Sequence, residues 1–339
     1  MPEHGGKLLQ AAEHYGIDLK HWLDLSTGIN PNGWEPSKPI PSKVWNRLPE
    51  NNDGLEQAAE DYYGSNSFIL TAGSQAAIQL LPQVLKPAIR GKVGIIEPGY
   101  NEHSHAWRHT DYQVDSLRPE QIMQLDGRML EAYQTLVIIN PNNPSGHSFD
   151  PEYLLSLHHQ LRQRKGYLIV DEAFIDSTPK QSLINKDMPE GLIVLRSLGK
   201  FFGLAGLRVG ALFAEQKILS LMESSLGPWS IAHPSRHLAK LALSDTEWQT
   251  TTRHQLAAQS QRLNDLLSQH GLKPNGSAAL FQWVQTTLAF DIHQQLAKQA
   301  VFTRYFEKPA SLRFGLPGSE AQWDHLEIAL SRLISAKSA

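Results

Sequence analysis

The stretch Leu192-Ile193-Val194-Leu195-Arg196-Ser197-Leu198-Gly199-Lys200-Phe201-Phe202-Gly203-Leu204-Ala205-Gly206-Leu207-Arg208-Val209-Gly210 decides how the rest of the chain is read. Its first four residues are apolar without alternation, the pattern of a short strand buried on both faces. Ser197, Lys200 and Arg208 then fall in a glycine-rich connection. A lysine delivered to a strand end among apolar and glycine neighbours is a candidate Schiff-base lysine, because desolvation disfavours its ammonium form and leaves the amine nucleophilic. Ser197 and Arg208 could hold a phosphate nearby, with the glycines allowing close backbone approach. The competing reading is a surface loop with an ordinary lysine and arginine, and spacing alone does not separate the two.

The totals bound the possibilities. A chain of 339 residues has room for one large domain and a smaller one. With 41% hydrophobic and 19% charged residues it can build a sizeable core and is not a disordered type. A net charge of −3 argues against a nucleic-acid partner, which would call for a basic excess. Cysteine is absent, so disulfides, thiolate catalysis and cysteine-ligated metals are excluded. The start, Met1-Pro2-Glu3-His4-Gly5-Gly6-Lys7, lacks the apolar centre of a signal peptide, and no apolar run is long enough to span a bilayer. A soluble, cytoplasmic protein without a membrane partner is the expectation.

Around the central stretch the chain has a βα rhythm. Residues 68–71, 93–96, 136–139 and 167–170 read as apolar strands, and residues 55–63, 76–84 and 151–163 as helices. The expected fold is therefore α/β, with a large doubly wound, mostly parallel sheet. Before it, residues 34–50 carry prolines at 36, 39, 41 and 49 and read as irregular. After Pro234 a continuous helix through Leu267 is expected, leading to a smaller C-terminal α+β domain with strands near 279–284, 301–306 and 312–315 and a last helix from Glu320. The expected division is an N-terminal arm at 1–35, a large domain at 36–235 and a linking helix with the small domain at 236–339.

Polar groups cluster just after the carboxyl ends of the strands, the edge at which open α/β sheets bind ligands. Gly73-Ser74-Gln75 opens a helix and offers an anion site at its backbone N–H groups. Tyr100 follows Pro98-Gly99 and could stack on a planar ring. Asn143, framed by Pro141 and Pro144, could donate to a ring hydroxyl. Asp171 ends an apolar strand, where a carboxylate needs a partner, and a protonated pyridine nitrogen would serve. Each element alone has an ordinary account as a cap, a packed aromatic, a turn or an ion pair.

The ordered set Gly73-Ser74-Gln75, Tyr100, Asn140-Pro141-Asn142-Asn143-Pro144, Asp171-Glu172-Ala173-Phe174, Ser197-Leu198-Gly199-Lys200 and Arg208 resembles the pyridoxal-phosphate enzymes of aminotransferase fold type I. Within them it is similar to the histidinol-phosphate aminotransferase group, and most to the threonine-phosphate decarboxylase family. The latter likeness rests on His4-Gly5-Gly6, Leu23-Asp24-Leu25-Ser26-Thr27-Gly28-Ile29-Asn30-Pro31, Asp171 to Asp176, and Leu312-Arg313-Phe314-Gly315-Leu316-Pro317. The resemblance implies pyridoxal 5′-phosphate as cofactor, Lys200 as its covalent anchor and proton shuttle, and Asp171 on the pyridine nitrogen. It also implies Asn143 at the ring oxygen, Tyr100 over the ring, and Gly73, Ser74, Gln75, Ser197 and Arg208 around the cofactor phosphate. Arg313 matches the substrate-carboxylate clamp, while Arg304, His4 and Gly5 match groups at the substrate's phosphate end. A homodimer and a small phosphorylated amino acid substrate are implied as well.

Three positions depart from the wider group. Phe174 stands where most such aminotransferases carry a tyrosine, a feature the decarboxylases share. Leu48 replaces a tyrosine that histidinol-phosphate aminotransferases direct at the other subunit's cofactor, and Gly28 lacks the side chain some decarboxylases have. The implied reaction is decarboxylation of L-threonine O-3-phosphate. A histidinol-phosphate-type aminotransferase, or a protein of this fold that binds without turnover, remain the alternatives. His103, His105 and His109 cluster in sequence, but without carboxylate or cysteine partners at ligand spacing no metal is expected.

Overall fold

The run Leu192–Ser197 is a strand buried along its whole length, third in the order of a seven-stranded sheet. The structure, a computed structural model, describes residues 5–86, 88–89, 91–125 and 127–335, with only the backbone at 334 and 335. The sheet runs in the order Phe68–Thr71, Gly210–Phe213, Leu192–Ser197, Tyr167–Asp171, Tyr133–Ile139, Lys92–Ile96, Val114–Leu117. Gly210–Phe213 is antiparallel to both neighbours, and the other five from Leu192–Ser197 outward are parallel. Two of these strands, Val114–Leu117 and Gly210–Phe213, escape the sequence reading. The first has only two apolar residues in four, and the second directly follows the glycine-rich connection.

The apolar runs lack alternation because both faces are covered. Leu136, Ile138, Leu168, Val170, Leu192 and Val194 join one cluster with Leu154, Leu157 and Leu161 of the helix Pro151–Arg162. The intervening Val137, Ile169, Ile193 and Leu195 join another with Ala77, Ile78 and Leu81 of the helix Gly73–Leu85. Each fully buried side chain of this kind contributes roughly 1.5–3 kcal/mol. Register places Asp171, the last residue of its strand, opposite Ile139, the last of the neighbouring one, and opposite Leu195, two residues before Ser197, so these parallel strands end at one edge.

The chain divides into two compact units. The large one comprises residues 33–143 and 148–251; the small one comprises 144–147, the N-terminal residues to 32 and the C-terminal residues from 252. In the small unit the strand Leu23–Asp24 pairs in parallel with Val301–Phe302, and the helix Leu8–Tyr15 packs with Trp22, Ala297, Ala300 and Phe302. That pairing explains why the N-terminus groups with the C-terminal residues. The small unit also holds an antiparallel sheet in the order Arg304–Phe306, Ser311–Gly315, Phe281–Gln285, Gly276–Ala278. The continuous helix expected after Pro234 is instead two, His233–Ser244 and Thr246–Gln269. Asp245 breaks it: its carboxylate accepts from the Trp248 N–H at 3.0 Å, as an N-cap does, and from Trp34 Nε1 at 2.9 Å. Among the described residues no helix is long and apolar enough to cross a membrane.

Candidate active site

At the sheet edge Asp171 is buried, 3% exposed, and satisfied by two donors. The Ala173 N–H reaches Oδ1 at 3.0 Å, and His103 Nε2 lies 2.9 Å from Oδ2. His103 is itself buried on the helix Asn101–Arg108. A carboxylate held this firmly at a ligand-binding edge suits a cationic ring nitrogen. The pairing also separates His103 from His105 and His109, whose rings stand 4.0 Å apart further along the helix.

A cradle for an anion lies beside it. Gly73 has φ of +69°, and a Cβ there would stand 2.6 Å from Arg208 Nη2. Arg208 reaches this position from a left-handed backbone, φ 53°, ψ 53°, which costs a non-glycine residue of order 1 kcal/mol. Gly210 closes the floor, since a Cβ would meet the Ser74 nitrogen at 2.5 Å. The helix beginning at Gly73 has no side-chain cap on its first N–H groups. Ser197 Oγ, nearly buried at the strand end, accepts from the Gly199 N–H at 3.2 Å. Backbone donors, a hydroxyl and a guanidinium in glycine-lined space are what a phosphate monoester requires.

Lys200 is half-buried, with its Nζ 5.5 Å from the centre of the Phe174 ring. Phe174 is buried and has no hydroxyl to offer a ring oxygen. Asn143 is half-buried, ending the loop in which Asn142 Nδ2 donates to the Pro98 carbonyl at 2.9 Å. Tyr100 Oη donates to Gln75 Oε1 at 3.0 Å, and Gln75 Nε2 to Glu102 Oε2 at 2.6 Å. Burial first, then the Glu102 and Asp171 charges, push the Tyr100 hydroxyl up to about 12, so it stays protonated. A pyridinium-matching carboxylate, an amine and a phosphate cradle in one unit together fit pyridoxal phosphate.

Behind this edge lies a charged network the sequence reading misses. Arg196 pairs with Glu172, 3.3 Å away, and closely with Asp176, all three side chains at most 3% exposed. Glu172 also accepts from Ser182 Oγ and the Leu183 N–H, and Asp176 from Tyr62 Oη. Burial holds the Glu172 carboxyl above its ordinary range against the opposing Arg196 charge. Arg196 and Glu172 directly precede Ser197 and follow Asp171, so the network ties two site-bearing strand ends together.

In the small unit Arg313 is 6% exposed and donates from Nη2 to the Ser26 carbonyl at 2.7 Å. Burial, then the neighbouring Arg304 charge, bring its guanidinium down to about 10. Arg304 stands directly across from Arg313 in the antiparallel ladder. Like charges at facing positions are unfavourable, so this pair favours an anionic ligand. Gly5 rests against Ser26, whereas His4 lies outside the described residues. Among the described residues no three metal-ligating side chains gather.

Residues 42–330 match the aminotransferase class I and II family. A threonine-phosphate decarboxylase of Pseudomonas aeruginosa is 47% identical over 331 residues, covering 97% of both chains. Another from a Sinorhizobium species is 37% identical, covering 97% of this chain and 98% of the relative. The chain belongs to the aminotransferase class I and II family, among its threonine-phosphate decarboxylases. Similar solved structures include a histidinol-phosphate aminotransferase of Sinorhizobium meliloti in complex with pyridoxal-5′-phosphate, TM-score 0.82 and 19% identity, covering 99% of this chain and 96% of that one. L-threonine-O-3-phosphate decarboxylase of Porphyromonas gingivalis superposes with TM-score 0.75 at 18% identity, covering 92% and 99%. At those identities the family members share the fold.

Proposed function

We propose that the protein decarboxylates L-threonine O-3-phosphate to (R)-1-aminopropan-2-yl phosphate and CO2 with pyridoxal 5′-phosphate, in cobalamin side-chain biosynthesis. Near-full-length identity of 47% to a threonine-phosphate decarboxylase supports the reading. The observation that carries it is the facing pair Arg304 and Arg313, a cationic provision for a substrate with two anionic ends.

Bound pyridoxal phosphate supplies an electron sink for the pair released when a Cα bond breaks. The Lys200 amine would anchor it covalently, and the cradle of Gly73, Ser74, Gln75, Ser197 and Arg208 would take its phosphate. Asp171 would hold the ring nitrogen protonated, Asn143 would serve the ring oxygen, and Tyr100, kept neutral, would pack against the ring. Arg313 binds the substrate carboxylate and orients it so that the Cα–carboxylate bond, rather than Cα–H, is the one that breaks. Once the substrate's amine has taken its place, the freed Lys200 Nζ would deliver a proton to Cα. His4, Gly5 and Arg304 bind the substrate's phosphate end. The active form is a cytoplasmic homodimer.

The test is a product assay with cofactor-loaded protein and L-threonine O-3-phosphate alone. Release of CO2 with aminopropanol phosphate, without any oxoacid, is expected. No CO2, but turnover of histidinol phosphate once 2-oxoglutarate is added, would make the protein an aminotransferase.

A further inference from the structure

Ser26 is fully buried in the small unit and uses every polar atom it has. Its N–H at 2.8 Å and its hydroxyl at 2.6 Å both donate to Asp24 Oδ1. The same hydroxyl accepts from the Gly6 N–H at 2.9 Å, and its carbonyl accepts from Arg313 Nη2 at 2.7 Å. Gly5 crosses that carbonyl so closely that a Cβ would stand 2.4 Å from the oxygen. On either side, the Gly315 N–H donates to the Leu25 carbonyl at 2.8 Å, and a Cβ on Gly315 would stand 2.4 Å from the Thr27 oxygen. The strand bearing Arg313 is thus fastened along 25–27, and its guanidinium ends on the peptide that carries the N-terminal arm.

We infer that Ser26 is a positioning residue that couples the N-terminal arm to Arg313, so that seating of Gly5-Gly6 and orientation of the guanidinium are set together. This rests on the reading of Arg313 as the carboxylate anchor. An arginine side chain has several rotatable bonds, and fixing it before the ligand arrives lowers the ordering cost of binding. Asp24 takes part by holding both donors of Ser26, which leaves the hydroxyl oxygen aimed at Gly6 and the carbonyl at Arg313.

The experiment uses cofactor-loaded protein and the variants Ser26→Ala, Ser26→Thr, Arg313→Lys and the double variant Ser26→Ala/Arg313→Lys. Amide exchange in the peptide spanning the arm is measured alongside KM and kcat for L-threonine O-3-phosphate. Ser26→Ala loses two buried hydrogen bonds, so exchange at the arm should accelerate and KM rise roughly tenfold, with kcat falling less. Ser26→Thr, which keeps the hydroxyl, should restore KM to within about twofold. In the double variant the KM effects should be non-additive, because the Ser26 hydroxyl and the Arg313 guanidinium act from the side chain and the carbonyl of the same residue. Additive effects, or arm exchange unchanged in Ser26→Ala, would overturn the coupling. Should Ser26→Ala fail to fold, Gly5→Ala presses on the same carbonyl from the arm side, and unchanged exchange and KM there would equally overturn it. The wild type alone tests the decarboxylase reading, and arm exchange needs no turnover, so the two failures are distinguishable.

Discussion

Replacing Arg196 by methionine isolates the contribution of the buried network to the site. The substitution keeps much of the aliphatic length and removes one positive charge from between Glu172 and Asp176, each with a fully buried side chain. Breaking a buried ion pair from one side costs about 3–5 kcal/mol, because the remaining charge stays desolvated. Ser182, Leu183 and Tyr62 still donate to the two carboxylates, so a loss of about 3–4 kcal/mol is expected. For a unit of this size that corresponds to a fall in Tm of roughly 6 to 16 °C at pH 8. The sign of the pH dependence follows from Glu172. Its carboxyl is raised by burial, with the Arg196 charge as the leading opposing influence, so removing Arg196 raises it further. A carboxyl raised in the folded state favours folding fully below its unfolded pKa and loses that contribution as pH climbs through the folded value. The deficit of Arg196→Met should therefore be largest at pH 8 and shrink toward pH 5. Thermal unfolding followed by circular dichroism across that range measures it. Adding Glu172→Gln and Asp176→Asn should recover most of the loss. A Tm within about 3 °C of wild type at pH 8, or an equal deficit at both ends of the range, would refute the reasoning.

Lys200→Ala should lose the absorption band of a lysine-linked cofactor and at least ~10²-fold in turnover, the scale of a missing proton-transfer group; an intact band would overturn the anchor assignment. His103→Leu removes one of the two donors to Asp171, and cofactor affinity measured by titration should weaken roughly five- to twentyfold, while unchanged affinity would deny His103 a part in orienting that carboxylate. His293 is lowered to about 4 by burial and then by the Arg304 charge, so its neutral form contributes stability that is present above pH 6.5 and lost as pH falls toward 4. In His293→Gln the stability loss across that window should flatten, and an unchanged slope in thermal melts would show that another group titrates there.

Much of the fold was legible because it follows from local pattern. The runs at 136–139, 167–170 and 192–195 lie in strands at these positions since a sheet covered on both faces needs apolar residues at every position, which a single sequence displays. Gly73 and Lys200 stand out as candidates for a related reason: glycine punctuation and a lysine among apolar and glycine neighbours are visible without any partner. The interruption at Asp245 was not, because a capping aspartate differs from a solvated one only through what it touches, here the Trp248 N–H and the distant Trp34 indole.

The hidden part of the candidate site has the same origin, pushed further. Arg196 reads as a polar residue leaving a strand, yet it is buried only because Glu172 and Asp176 arrive from the neighbouring strand end to meet it. His103 looks like one of three clustered histidines until helix geometry turns it toward Asp171, 68 positions away, and leaves His105 and His109 beside each other. Ser26 is the extreme case. Its role as a junction depends on the arm at Gly6 and the strand at Arg313, 20 and 287 positions away, meeting at one peptide that the neighbouring Asp24 holds in place. Residues that contact the chemistry must have particular side chains and so announce themselves by type. Residues that position them need only the right partner, and a partner is a property of the fold. For this reason the positioning residues Arg196, His103 and Ser26 are where substitution experiments would add most, since their contribution is set by burial and register rather than by what they are.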